Sequence, residues 1–151
     1  MYRLTIYLFY NISCADIVAQ SEMNSKIDPI GFLPLPNSTF HILLSLADAE
    51  RHGYGIMQEV AERTGGQVKL GPGTLYGAIK RLLADGLIAE SEERPDPTLD
   101  DERRRYYCLT DLGRRVIRLD AQRLADLVGM AEAKQLLEQA LLSPNTGGVE
   151  L

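Results

Sequence analysis

Leu70-Gly71-Pro72-Gly73-Thr74-Leu75-Tyr76-Gly77-Ala78-Ile79-Lys80-Arg81-Leu82-Leu83-Ala84-Asp85-Gly86-Leu87 reads as a short amphipathic helix with a defined start and a defined end. Proline pre-sets φ at the first helical position, where its missing N–H would be unpaired anyway, and Gly86 permits the left-handed turn that closes the helix. Leu75, Ile79, Leu82 and Leu83 recur at three- and four-residue spacing and form one apolar face. Thr74, Tyr76, Gly77, Lys80 and Arg81 are left for the opposite side, with no acid before Asp85. A Lys-Arg pair on a polar helix face is commonplace, so its meaning depends on what flanks it.

Upstream, an apolar-periodic run through Phe40, Leu43, Leu44 and Leu46 begins at Ser38, which predicts a helix capped by serine or asparagine. His52-Gly53-Tyr54-Gly55 breaks the pattern. A second helical run with Ile56, Val60 and Ala61 inward then closes at Thr64-Gly65-Gly66. Downstream, Leu87 to Glu92 and Arg103 to Leu109 read as two strands of a hairpin, separated by a segment rich in proline and acids. Three helices followed by a hairpin is the order of a winged helix-turn-helix, whose third helix lies in the major groove. The expected fold class is therefore mainly α with a small β-hairpin wing, carried as a winged helix-turn-helix domain plus a long C-terminal dimerisation helix.

Four motifs stand in order along this stretch: His52-Gly53-Tyr54, Gly71-Pro72-Gly73-Thr74-Leu75-Tyr76, Asp85-Gly86-Leu87-Ile88, and Arg104-Arg105-Tyr106-Tyr107-Cys108-Leu109-Thr110 with Gly113 behind it. On these motifs, residues from about Leu33 to Leu142 resemble the PadR family of bacterial transcriptional regulators. The resemblance implies a cytoplasmic homodimeric repressor that binds double-stranded DNA at a pseudo-palindromic operator. Family members that sense small molecules between the helices of the dimer imply an inducer as well. Its identity is not legible here, and the absence of Trp removes one obvious flat platform.

At 151 residues, 45% hydrophobic and 25% charged, the chain is long enough for one core of ordinary size. Its net charge of −5 would argue against a polyanion if charge were evenly spread, but the local patch decides. The expected organisation is an N-terminal extension over 1–32, a winged helix-turn-helix over 33–109, a dimerisation helix over 110–142 and a disordered tail over 143–151. Met23 is a candidate initiator within the extension. The apolar run from Met1 to Tyr10 breaks at Asn11, too soon to span a bilayer, and no membrane role is expected.

The C-terminal helix is predicted from Thr110, placed to cap it, with Asp111 complementing the helix dipole. Ile117, Ala121, Leu124, Val128 and Ala131 follow a seven-residue repeat suited to packing on another helix. A bend is expected near Gly129, beyond which Leu137 and Leu141 continue a shifted face. Some thirty residues of helix would be about 45 Å long, more than a small domain can cover. A second copy of the chain is the expected partner along those seven positions.

Expected DNA contacts fall on Tyr54, Thr74, Tyr76, Gly77, Lys80, Arg81, Arg103, Arg104 and Arg105. Arginine offers a bidentate fork to guanine edges, lysine a point charge to phosphate, and a helix N-terminus offers free N–H groups. Gly77 would leave room for close approach. Alternation sends successive residues from Arg103 to Tyr107 to opposite faces, so one tyrosine of Tyr106 and Tyr107 is expected in the core and the other outside. The acids between Glu92 and Glu102 would repel phosphate, which shifts the weight from the wing tip to the third helix and the arginines behind the tip.

No enzyme is expected. Cys14 and Cys108 form no Cys-x-x-Cys pair, and read as unpaired thiols they fit a reducing cytoplasm. His41 and His52 lack the spacing of a metal site, and Gly71-Pro72-Gly73 lacks the Gly-Lys-Ser/Thr of a phosphate loop, so no metal or cofactor is expected. The competing reading is a winged-helix module that binds protein or a small ligand without acting on DNA.

Overall fold

The computed structural model describes residues 26–91 and 104–137. A short 3-10 turn, Pro29–Phe32, leads into α1 (Asn37–Ser45), β1 (Arg51–His52), α2 (Gly53–Arg63), α3 (Pro72–Ala84), β2 (Ile88–Ser91), β3 (Tyr106–Leu109) and α4 (Asp111–Ala133). The fold is mostly helical around a small antiparallel sheet of order β1-β3-β2.

The expected hairpin is thus one strand short of the sheet. Arg51 and His52 pair with Tyr107 and Tyr106, while Ile88 to Ser91 pair with Leu109 to Tyr106 on the other side of β3. β3 is therefore a central strand. All four of its residues are buried, Tyr106 and Tyr107 alike, which corrects the expectation that one tyrosine would lie outside. The Tyr106 ring meets the His52 ring edge-on at 5.3 Å, and Tyr107 joins the main core.

α1 also starts differently from its sequence pattern. Its N-cap is Pro36, without a side-chain cap bond; Pro36 supplies the carbonyl that accepts the Phe40 N–H at 2.9 Å. At its other end, Arg51 Nε donates to the Ser45 carbonyl at 2.7 Å, so β1 is stapled to the helix before it. α2 ends in two successive left-handed residues, Gly65 and Gly66, and the Gly66 N–H reaches back to the Ala61 carbonyl at 2.7 Å. Glycine occupies αL without steric cost, which lets the chain reverse toward α3.

α3 runs from Pro72 with Gly71 as N-cap, and Gly86 follows with φ +71°, as its sequence predicts. Leu75, Ala78, Ile79 and Leu82 are buried against Ile42, Leu43, Ile56 and Val60. α4 starts at Thr110, whose hydroxyl accepts the Gly113 N–H and donates to the Gly86 carbonyl at 2.6 Å. One side chain therefore caps α4 and holds it to the end of α3. Gly113 sits where a Cβ would overlap the Leu87 carbonyl oxygen, so glycine sets the closeness of α4 to the sheet.

The first half of α4 belongs to this core through Leu112, Val116 and Ile117. Asp120, 1% exposed, is held by Arg123 Nε at 2.6 Å and accepts the Leu35 N–H at 3.4 Å, which ties the N-terminal turn to the helix. The helix passes through Gly129 unbroken and ends at Ala133, with Gln135 at φ 57°, so the interruption falls six residues later than the bend expected at Gly129. Cys108 carries a disulfide bond, which corrects the reading of two unpaired thiols and removes the compartment argument built on it.

Candidate nucleic-acid interface

The packing of α3 decides which of its side chains a partner can meet. With one face buried, Thr74, Tyr76, Gly77, Lys80 and Arg81 are all exposed. Lys80 and Arg81 make no ion pair or side-chain hydrogen bond among the described residues. A solvated helix face ordinarily gains a few tenths of a kcal/mol from each pair at four-residue spacing, and none is present around these two cations. Gly77 faces open space, since a Cβ there would meet nothing within 4 Å. At the start of α3, proline has no N–H and Leu75 is the first residue to bond back to Gly71, which leaves the Gly73 and Thr74 N–H groups without partners inside the helix.

Tyr76 leans from α3 onto the first turn of α2. A Cβ at Gly53 would lie 2.8 Å from Tyr76 Oη, so Gly53 is the residue that lets this phenol settle there. The same turn is capped by His52, whose Nδ1 accepts the Gly55 N–H at 2.8 Å and whose Nε2 lies 3.3 Å from Arg104 Nη1. Tyr54 follows, 65% exposed, its ring roughly parallel to that of His52. Arg105 reaches across the sheet to Glu90 at 3.1 Å, in a pair that stays largely in solvent. Such a pair stabilises by about 1 kcal/mol at most.

Together these groups line a pocket of about 390 Å³ bounded by His52, Gly53, Tyr54, Tyr76, Arg104, Arg105 and Tyr107. Tyr54, Tyr76, Arg104 and Arg105 were expected from sequence; His52, Gly53 and Tyr107 were not. The signal was present in the His52-Gly53-Tyr54 motif, but only the pairing of β1 with β3 carries it to the arginines. Burial pushes the Tyr107 hydroxyl above its ordinary pKa, Glu90 and Tyr76 add to the rise, and Arg105 opposes it. Thr74, Gly77, Lys80 and Arg81 lie outside the pocket along α3. Arg103 and Leu141 lie outside the described residues, as do the acidic wing segment and the tail.

The residues expected to face a second copy divide in two. Ile117, 6% exposed, belongs to the chain's own core. Beyond Asp120 no residue of α4 is buried, and Ala121, Leu124, Leu127 and Val128 are exposed, with Ala131 half-buried. Leu137 falls past the end of the helix. Among the described residues there is no cluster of three metal-ligating side chains, and no helix is long and apolar enough to cross a membrane.

Residues 42–119, just over half of the chain, match the transcriptional regulator PadR-like family. A 37.1 kDa protein in transposon TN4556 of Streptomyces fradiae is 39% identical over 88 residues, 58% of this chain, which spans 23% of that relative's length. Transcriptional regulator Rv3488 of Mycobacterium tuberculosis is 42% identical over 87 residues, covering 58% of this chain and 75% of that one. Among solved structures, a PadR family transcription regulator from Clostridium difficile aligns with a TM-score of 0.54 at 26% identity, over 64% of this chain and 96% of its own.

Proposed function

Since the chain belongs to the PadR-like family of transcriptional regulators, and so is not an enzyme, we propose that it is a cytoplasmic repressor that binds double-stranded DNA as a homodimer. In this reading residues 33–109 form the DNA-reading unit and the helix from 110 onward joins two copies. α3 lies in the major groove, with Lys80 and Arg81 toward phosphates and base edges and Thr74 and Tyr76 at the backbone. The observation that carries the proposal is the exposed cationic pair on α3, unpaired among the described residues, opposite a face on which Leu75, Ala78, Ile79 and Leu82 are buried and Leu83 is partly buried.

Dimerisation is supported by the apolar surface that α4 exposes after Asp120. Its last thirteen residues, 121 to 133, extend about 20 Å and carry Leu124, Leu127, Val128 and Met130, each at least 38% exposed. A two-fold dimer would present two α3 helices about one turn of duplex apart and so read a pseudo-palindrome. A small molecule that binds between the paired helices would act as inducer by changing that spacing.

The test is selection of bound duplexes from random DNA by the full chain at a fixed salt concentration. An enriched palindrome supports the reading. Failure to enrich any sequence, with unchanged weak binding by Lys80→Ala, would favour a module that binds protein or a small ligand instead.

A further inference from the structure

Among the described residues, the buried phenol of Tyr107 has no hydrogen-bond partner. The residue is 5% exposed and its ring is part of the hydrophobic core, yet it lines the pocket between β1, β3 and α2. Among the described residues nothing bonds its hydroxyl. A tyrosine hydroxyl usually finds a partner when buried, and the large majority of buried polar side-chain atoms have one. Burial also keeps Tyr107 protonated through neutral pH, so the group offers a donor.

Beside His52, the remaining lining is rich in donors. The guanidinium groups of Arg104 and Arg105 can only donate, the Tyr54 and Tyr76 phenols can donate, and Gly53 opens the N-terminal turn of α2. The carboxylate on this side, Glu90, is engaged with Arg105 in an exposed pair that a stronger acceptor can displace. A volume of about 390 Å³ is also large beside the ~30 Å³ of a single water.

We propose that this pocket seats a phosphate group, with Tyr107 Oη donating from its floor while Arg104 and the Tyr54 and Tyr76 hydroxyls close around it. Either a backbone phosphodiester of bound duplex or free phosphate supplies that chemistry. The first source rests on the DNA-binding reading above; the second does not.

Tyr107→Phe keeps the ring in the core and removes only the donor. Tyr54→Phe, at an exposed position, does the same at the rim and serves if the first variant fails to fold by circular dichroism. Duplex affinity is measured by fluorescence anisotropy, and inorganic phosphate is titrated into the DNA-free protein with the tyrosine resonances followed by NMR. With the backbone source, each variant weakens duplex binding about tenfold, as a lost bond to a charged acceptor does, and leaves the preferred sequence unchanged. A methylphosphonate at the seated position then costs the wild type and not Tyr107→Phe. With the free source, duplex affinity holds but inorganic phosphate shifts the wild-type resonances and not those of the variant. Unchanged duplex affinity together with no phosphate response means a merely hydrated pocket and overturns the proposal. Lys80→Ala, run alongside, reports on the DNA reading separately: it can weaken duplex binding even where Tyr107→Phe does nothing.

Discussion

Gly77→Ala separates what α3 needs in order to fold from what it needs in order to bind. Gly77 lies inside the helix with ordinary negative φ, and a Cβ at that position meets nothing within 4 Å. Nothing in the free chain therefore requires glycine, and replacing it with alanine should stabilise the fold by about 1 kcal/mol through helix propensity and the reduced freedom of the unfolded chain. That gain appears as a rise of a few degrees in the thermal midpoint followed by circular dichroism. If α3 approaches duplex through this face, the added methyl holds it off and weakens binding. We expect about tenfold, or 1.4 kcal/mol, measured by anisotropy at constant salt. The two effects have opposite signs, so a general loss of structure cannot imitate them. An alanine variant that is more stable and binds duplex as tightly as the wild type would refute close approach at Gly77, and one that is less stable would refute the local packing argument.

Gly113→Ala should behave in the opposite way, because its Cβ overlaps the Leu87 carbonyl oxygen; over-packing at such a site costs about 1–3 kcal/mol, readable as a lower urea midpoint at unchanged slope. Lys80→Ala should lower affinity on every duplex and reduce the salt slope by about one, whereas Arg81→Ala should relax preference at one base pair, which selection by the variant would reveal. Burial first, and the neighbouring Arg63 second, hold His41 below its ordinary pKa of 6.5, against an opposing pull from Glu59. The unfolded chain then binds more protons than the folded one, so stability should fall as pH drops through 6.5; His41→Gln should flatten that part of the urea midpoint against pH. Leu127→Glu and Val128→Glu should shift the chain toward monomer in sedimentation velocity and lower the cooperativity of binding to a two-half site, while leaving the thermal unfolding of the winged region in place.

Much of the fold is legible because it follows from local rules. Pro72 and Gly86 fix the ends of α3, Thr110 caps α4, and three- and four-residue spacing marks the buried faces. What was missed depends on pairing. β1 has only two residues, both polar and half-buried, and no periodicity can announce a strand that short. Successive residues of β3 still point to opposite faces, but both tyrosines are covered: Tyr107 joins the main core, and Tyr106 meets the ring of His52, which pairing with β3 brings beside it. Gly129 was expected to bend α4, but a lone glycine costs a helix only about 1 kcal/mol, and the neighbouring turns absorb it.

The candidate interface divides along the same line. The α3 face could be read from sequence because a single helix generates it, so Thr74, Tyr76, Gly77, Lys80 and Arg81 share a side whatever the rest of the chain does. The pocket could not, since it brings His52, Tyr76 and Tyr107 together from three separate elements, with Arg104 and Arg105 just before the last. Its geometry depends on two small things: the close seat that Gly53 gives Tyr76, and the Nδ1 of His52 capping α2. Both lie in the motif whose sequence reading stopped at a break between helices. A glycine and a histidine at a helix start look like punctuation until the strand beside them is paired. Once it is paired, the same residues stand with three tyrosines and two arginines around one opening. Gly53→Ala should therefore disturb the pocket through displacement of Tyr76 while leaving the exposed cations of α3 in place. A loss of affinity in that variant that is uniform across duplex sequences would assign the pocket to backbone contact, and an altered sequence preference would instead mean that Tyr76 acts by orienting α3.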